Sequence, residues 1–278
     1  MSSPDHFTKL QATRFERPMD RGLNHPMLIR ATDVESGVEY KVVLKCNAGY
    51  STQPLARARE VLSYLIARRL EIPTPIPVMV RIPQDFFWFA TEHPKHAELL
   101  AKSEGWNFGT IHLGKCWKQW MSNKAAKKIA PQQIEDTFAY DAMIQNPDRK
   151  VDNPNLLWKD DQLMVFDFDK AFGYNQLHRT HPRPWQSIIS LLQLPSHCLF
   201  PHVKKMRRGK NLVGQSLWDL IEEWKLAEKP SDLASLFPSE WRDLEHERLD
   251  LILMMEYLSK LCGNTDDFCR TLTTCLHS

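Results

Sequence analysis

One stretch of the chain, residues 141–172, places an acid, an amide and a second acid in a fixed order. Asp148 follows a turn-forming Asn-Pro pair, and Asn153 comes five residues later. A hairpin pattern follows, and Asp167 comes at the end of its second apolar arm. Asn and Pro favour turns, and short apolar arms around a polar turn favour a β-hairpin. We therefore expect a turn and a strand end to bring these three side chains together.

The same order occurs in the catalytic loop and the metal-binding strand of kinases. In that chemistry the first acid orients or deprotonates the attacking hydroxyl, while the amide and the second acid hold Mg²⁺ against the phosphates of ATP. We predict Asp148 as the catalytic residue, and Asn153 and Asp167 as metal ligands. Asn155 and Asp169 compete with them as ligands. Neighbouring carboxylates repel each other, which favours a bound cation.

Two basic residues, Arg149 and Lys150, flank the predicted catalytic acid. They are interpreted in two ways: they stabilise phosphate charge, or they pair with Asp152 and other acids. Asp and Asn also occur often as plain turn residues, so the prediction of a site depends on the ordered set and not on any one member.

The N-terminal part of the chain shows a hairpin pattern followed by an amphipathic helix. Residues 27–31 and 39–46 are predicted strands, and Lys45 lies near the end of the second. Residues 54–70 are a predicted helix, in which Glu60 is the only acid. A strand lysine and a glutamate on the next helix match the pair that holds ATP phosphates in kinases, so we predict both as cofactor-binding residues. The alternatives are an edge-strand lysine and a surface acid paired with arginine.

The remaining pattern divides the chain into two predicted domains. Residues 78–82 and 86–90 are predicted strands that complete a small antiparallel sheet, while residues 1–24 are polar and residues 105–114 irregular. Helices are predicted at 132–145, 185–192, 216–226 and 238–262. We therefore predict an α+β, two-lobed, protein-kinase-like fold, with a small antiparallel-sheet N-lobe over residues 1–94 and a mainly helical C-lobe over residues 95–278.

Composition excludes several other classes of protein. The net charge is only +2, which argues against a nucleic-acid partner. The chain has no apolar run of about 18 residues that would predict a membrane span. Its first residues lack the apolar core of a signal peptide, and its six cysteines are scattered. These features predict a cytoplasmic protein.

The segments YKVVLK, NPDRKVDNPNLL and MVFDFDKAF together resemble the HipA-like kinase family, over roughly residues 20–175. The resemblance implies a two-lobed kinase-like fold, ATP with Mg²⁺, and phosphorylation of serine or threonine in a protein substrate, in some members as a toxin countered by a partner. It implies that Asp148 is the catalytic acid, that Asn153 and Asp167 bind the metal, and that Lys45 contacts ATP phosphates. One departure is the third residue of the DFD segment, where protein kinases have glycine.

The expected function is therefore an ATP- and Mg²⁺-dependent phosphotransferase, a serine/threonine protein kinase whose protein substrate and oligomeric state the sequence does not indicate. The alternatives are a non-catalytic ATP-binding scaffold and an interaction protein built on the helical half of the chain.

Overall fold

The computed structural model describes residues 7–19, 22, 24–50, 54–120, 127–174, 181–206, 213–227, 233, 237–238, 241 and 245–277. The chain forms two compact units. The first consists of Met1–Arg57 and Pro75–Gly114, and the second of Ala58–Thr74 and Lys115–Ser278. The domain boundary predicted at residue 94 lies inside the first unit.

Five strands of the first unit close into a barrel in the order β1-β2-β3-β5-β4. They are β1 (Thr8–Pro18), β2 (Met27–Asp33), β3 (Glu39–Lys45), β4 (Pro77–Ile82) and β5 (Gly105–Ile111). The barrel closes where β1 pairs in parallel with β4; the other pairings are antiparallel. Alternate residues of β2 and β3 face the core, as in Ile29 and Leu44, because successive side chains of a strand point to opposite faces.

The structure confirms the predicted α+β class but corrects the predicted small antiparallel sheet. Two barrel strands, β1 and β5, lie where the sequence predicts none. In β1 the pairing register with β2 shifts at Ala12/Arg14 and at Phe15/Arg17, which breaks the alternation of apolar residues that marks a strand.

The prediction of a strand over residues 86–90 is wrong. Residues Gln84–Ala90 form a 3-10 helix, in which Phe86 and Ala90 are buried four residues apart. Trp88 and Phe89, which lie between them, are 64% and 60% exposed. An apolar run of this length does not by itself distinguish a strand from a short helix.

The barrel interior leaves no room for a side chain at Gly109 in β5. A Cβ atom there would lie 2.7 Å from Val42 Cγ1 and 3.0 Å from the Val43 carbonyl oxygen. We expect Gly109→Ala to lower the free energy of unfolding by about 1–3 kcal/mol, because overpacking forces its neighbours apart. Denaturant unfolding measures this cost. Thr110→Ala is the control at the next, partly exposed position, and an equal loss in both variants would contradict the prediction.

The second unit combines a small sheet with helices. The sheet is β6 (Lys118–Gln119), β7 (Leu156–Lys159) and β8 (Gln162–Val165), and the β7–β8 hairpin confirms the one predicted before Asp167. The helices that begin or lie in this unit are α3 (Pro131–Met143), α4 (Pro184–Leu191), α5 (Phe200–Met206), α6 (Gln215–Ala227), α7 (Glu245–Cys262) and α8 (Thr265–His277). The helix predicted over residues 238–262 is described from Glu245 to Cys262, and the residues at 242–244 lie outside the described part of the chain. Within the described ranges, no helix is long and apolar enough to cross a membrane.

Among the described residues, two α-helices begin in the first unit: α1 (Pro54–Arg69) and α2 (Pro94–Ala101). From Ala58 onward α1 belongs to the second unit, where it packs beside the residues predicted to form the site. The Tyr140 hydroxyl of α3 donates a hydrogen bond to the Ser63 carbonyl oxygen. The Tyr64 ring meets the Phe168 ring edge-on, with centroids 5.0 Å apart.

Candidate functional site

The loop that carries Asp148 begins where α3 ends. Gln145 adopts a left-handed backbone conformation with φ of 57°, which turns the chain out of the helix. The backbone N–H of Asn146 then donates to the Asp141 carbonyl oxygen at 2.8 Å. The Asn146 side chain accepts a hydrogen bond from the Asp148 N–H at 3.1 Å. This asparagine turn holds the predicted catalytic residue at a defined point of the loop.

A buried ion pair lies directly behind Asp148. The Arg149 guanidinium donates through Nε to Asp141 Oδ2 and through Nη2 to Oδ1 at 3.1 Å, and both side chains are buried. Asn146 Nδ2 donates to Oδ1 at 2.8 Å, and the ring of His197 contacts Oδ2 at 3.1 Å. Burial by itself would raise the pKa of Asp141, but Arg149 and His197 hold it below its ordinary value. The carboxylate is therefore ionised and enclosed by donors.

Arg149 also joins the loop to the strand end that precedes Asp167. Its Nη1 donates to the carbonyl oxygens of Pro154 at 3.1 Å, Asn155 at 2.7 Å and Phe166 at 3.4 Å. The Phe166 N–H donates to the Asn155 carbonyl oxygen at 3.2 Å. One guanidinium group thus bridges two segments of chain. Of the two interpretations offered for Arg149, pairing with an acid is the one observed.

The predicted acid and amide of the loop are in contact. Asn153 Nδ2 donates to Asp148 Oδ2 at 3.1 Å, and Asn155 Nδ2 lies 3.5 Å from the same oxygen. Asn153 is exposed, whereas Asn155 is buried and has a left-handed backbone with φ of 45°. Both amides that competed in the prediction therefore reach Asp148.

The acids after β8 act on Asp148 through their charge. Partial burial raises the pKa of Asp148, and the negative charges of Asp167 and Asp169 raise it further, while Lys150 and Lys170 oppose the rise. Asp167 has a left-handed backbone with φ of 62°, a strained conformation of the kind that clusters at functional sites. The Asp167 and Asp169 carboxylates therefore lie near enough to Asp148 for their charges to act on it.

This set of donors fits Mg²⁺. Carboxylate and amide oxygens are the ligands that this ion prefers, and a cation would relieve the repulsion that raises the Asp148 pKa. In the part of the chain that the structure describes, no group of three or more His, Cys, Asp or Glu side chains could hold a metal ion by itself. A Mg²⁺ ion commonly takes one or two carboxylates and completes its shell with phosphate oxygens and water.

The two predicted cofactor-binding residues lie in different units. Lys45 is the last residue of β3 in the first unit, and Glu60 lies on the part of α1 that belongs to the second. Glu60 is buried, which corrects the alternative of a surface acid. It lies one helical turn before Tyr64, the residue that packs on Phe168 beside Asp167. The pairing of Lys45 with Glu60 stays a prediction.

Sequence reasoning missed two residues of this arrangement, Asp141 and His197. A signal for Asp141 exists: it lies seven residues after Ile134 and three after Phe138, on the apolar face of α3, where an acid needs a buried partner. His197 has no comparable local signal, because its partner is 56 positions away in the chain.

Because the negative charges of Asp167 and Asp169 act on Asp148, we expect its ionised carboxylate to lower the stability of the folded protein. A carboxyl whose pKa is raised in the folded state is disfavoured when ionised, so the penalty is present at neutral pH and fades as the pH falls toward the ordinary Asp pKa, about 3.9. We expect Asp148→Asn to raise the Tm at pH 7 and to lose this advantage as the pH is lowered. Thermal unfolding across pH measures it, with Asp152→Asn as the exposed control. An Asp148→Asn protein less stable than wild type at pH 7 would contradict it.

A family model described as HipA-like kinase matches residues 13–182, more than half of the chain. The protein therefore belongs to the HipA-like kinase family.

A search of solved structures gives the crystal structure of the Helicobacter pylori proinflammatory kinase CtkA as a similar chain. The two share 10% sequence identity, the match covers 98% of each chain, and the TM-score is 0.44. A search of curated proteins gave no significant match.

Proposed function

We propose that the protein is an ATP- and Mg²⁺-dependent serine/threonine protein kinase. The observation that carries the proposal is the hydrogen bond from Asn153 Nδ2 to Asp148 Oδ2, on an acid whose pKa the charges of Asp167 and Asp169 raise. Membership of the HipA-like kinase family supports the same chemistry.

Asp148 is suited to act on the acceptor hydroxyl. Its carboxylate is partly exposed, and its raised pKa makes it a better proton acceptor than an ordinary aspartate. Asn153 donates to Oδ2 and so orients the group. Asp148 would align the hydroxyl for attack and take up its proton as phosphoryl transfer proceeds.

Asn153 and Asp167 would hold Mg²⁺, and Lys45, supported by Glu60, would contact the nucleotide phosphates. Bound ATP with Mg²⁺ supplies the transferable phosphoryl group and neutralises its charge. Asn155 and Asp169 lie two positions from the proposed ligands and offer the same donor atoms. Most of the rate enhancement in such a site comes from positioning and electrostatics.

A protein acceptor is favoured by the outer side of the loop. Lys150, Val151 and Asp152 are exposed, and Val151 is 73% exposed although it is apolar. Val151 lies three positions after Asp148 and is accessible to a polypeptide substrate, whether that substrate is folded or extended.

The test is incubation of the purified protein with γ-labelled ATP and Mg²⁺, alone and with a cell lysate, followed by phosphoamino-acid analysis. Label on serine or threonine, lost in Asp148→Asn and retained in Asp152→Asn, is the expected result. Lys45→Met should weaken ATP binding, whereas Lys41→Met, in the same strand, should not.

Two other outcomes decide against the proposal. Mg²⁺-dependent ATP binding without any transfer would indicate the non-catalytic scaffold. Absence of both binding and transfer would refute the nucleotide site altogether and favour an interaction protein.

A further inference from the structure

The ring of His197 is held in one orientation and one tautomer. Its Nδ1 accepts a hydrogen bond from the Leu199 N–H at 3.1 Å. The proton of the neutral ring therefore lies on Nε2, which faces Asp141 Oδ2 at 3.1 Å and donates to it. Burial lowers the pKa of this histidine, which agrees with a neutral ring. Phe138 packs edge-on against the ring, with centroids 5.0 Å apart.

The backbone around His197 runs beside the Asp148 loop. Lys150 and His197 form an isolated antiparallel bridge, and the Cys198 N–H donates to the Arg149 carbonyl oxygen at 2.9 Å. Residues 197–198 thus support the two residues that follow Asp148. A displacement of this segment would be transmitted directly to the loop.

The His197 bond completes the coordination of the buried carboxylate. Asp141 Oδ1 accepts from Asn146 Nδ2 and Arg149 Nη2, and Oδ2 accepts from Arg149 Nε and His197 Nε2. An ionised carboxylate has about four acceptor sites, so all are used. Loss of the histidine donor would remove one hydrogen bond from the buried Oδ2 atom of Asp141. The carboxylate would then be free to rotate.

Rotation of Asp141 would move Arg149, because the guanidinium is aligned by both carboxylate oxygens. Arg149 in turn holds the carbonyl oxygens of Asn155 and Phe166. These belong to the loop of Asp148 and to the residue directly before Asp167. A chain of charged and polar contacts therefore runs from His197 to both ends of the predicted site.

We propose that His197 is a positioning residue for phosphoryl transfer, which acts through Asp141 and Arg149 to set Asp148 against Asp167. The inference rests on the proposed function. His197 lies outside the kinase-like motif. The proposal gives it a role in the rate of transfer although it contacts neither substrate nor nucleotide.

Two substitutions separate the two hydrogen bonds of the ring. His197→Gln can place an amide N–H near the position of Nε2 and keep the donor to Asp141, whereas His197→Asn is shorter and keeps only an acceptor near Nδ1. We expect His197→Asn to lower kcat by about 10–100-fold, the range found when groups that orient a site residue are removed, with the KM for ATP nearly unchanged. His197→Gln should restore kcat to within about threefold of wild type.

A control must show that a loss of stability does not by itself produce these changes in kcat. Phe138→Leu removes the ring contact but leaves the hydrogen bonds of His197, so it serves as the structural control. It should lower the Tm without the loss of kcat when all proteins are assayed well below their Tm. Unchanged kcat in His197→Asn, or equal losses in His197→Asn and His197→Gln, would overturn the inference.

A measurement on the wild-type protein covers the case in which His197→Asn does not fold. In protein labelled with ¹⁵N-histidine, the ring shifts of His197, assigned by their absence from His197→Gln, should show the Nε2–H tautomer at pH 7. An Nδ1–H tautomer or a charged ring would overturn the inference. If the wild-type protein neither binds ATP nor transfers a phosphoryl group, the proposed function fails. The ring signal still reports whether His197 donates to Asp141.

Discussion

Asp148→Asn and Asp167→Asn are each expected to lower kcat for phosphoryl transfer by about 100-fold or more. The first removes the proposed proton acceptor, and the second removes a proposed charged ligand of Mg²⁺. Loss of a single preorganised electrostatic group commonly costs 10²–10³ in rate, about 2.7–4 kcal/mol. Steady-state transfer from labelled ATP measures both losses. Asp152→Asn, which removes an exposed acid from the same loop, should retain nearly full activity.

The Mg²⁺ dependence separates the roles of the acids after β8. Substitution of a metal ligand should raise the Mg²⁺ concentration needed for half-maximal activity, whereas Asp148→Asn should lower kcat without that shift. The same titration on Asp169→Asn decides between Asp167 and Asp169. Full activity in Asp148→Asn would contradict its role as base, and unaltered Mg²⁺ dependence in both Asp167→Asn and Asp169→Asn would contradict a metal site at this strand end.

Arg149→Met is expected to lower the free energy of unfolding by about 3–5 kcal/mol, the largest effect on stability predicted for this protein. The substitution leaves the Asp141 carboxylate buried without its cationic partner, and removal of one member of a buried ion pair carries that cost. It also deprives the carbonyl oxygens of Pro154 and Asn155 of their donor. Urea unfolding measures the change. Lys150→Met, at the adjacent exposed basic residue, should change stability by no more than about 0.5 kcal/mol.

A double variant tests whether the uncompensated charge causes the loss. Asp141→Asn combined with Arg149→Met removes both charges, so it should be more stable than Arg149→Met alone. Equal stability of the single and double variants would show that the carbonyl contacts, and not the carboxylate, account for the effect. A loss below about 1 kcal/mol in Arg149→Met would contradict the role assigned to the ion pair.

Much of the second unit follows from local sequence pattern. The β7–β8 hairpin has apolar arms around a polar turn, and α3 shows its apolar spacing clearly, so the structure agrees with both predictions. In the first unit the barrel was not predictable in the same way. Strand β1 breaks its alternation at two register shifts, and β2, β3 and α1 all lie between it and its parallel partner β4 in the chain. Pairing between distant strands leaves no mark in a local window of sequence.

The order of acid, amide and acid between Asp148 and Asp167 can be read from local sequence, as can the turn and the hairpin that present these groups. The surroundings of Asp148 depend on contacts between distant parts of the folded chain. The tertiary structure placed Arg149 inside the protein against Asp141, and it brought His197 to the same carboxylate from 56 positions away. Turns and hairpins depend on neighbouring residues, whereas the burial of a charge depends on which distant donors the folded chain can bring to it.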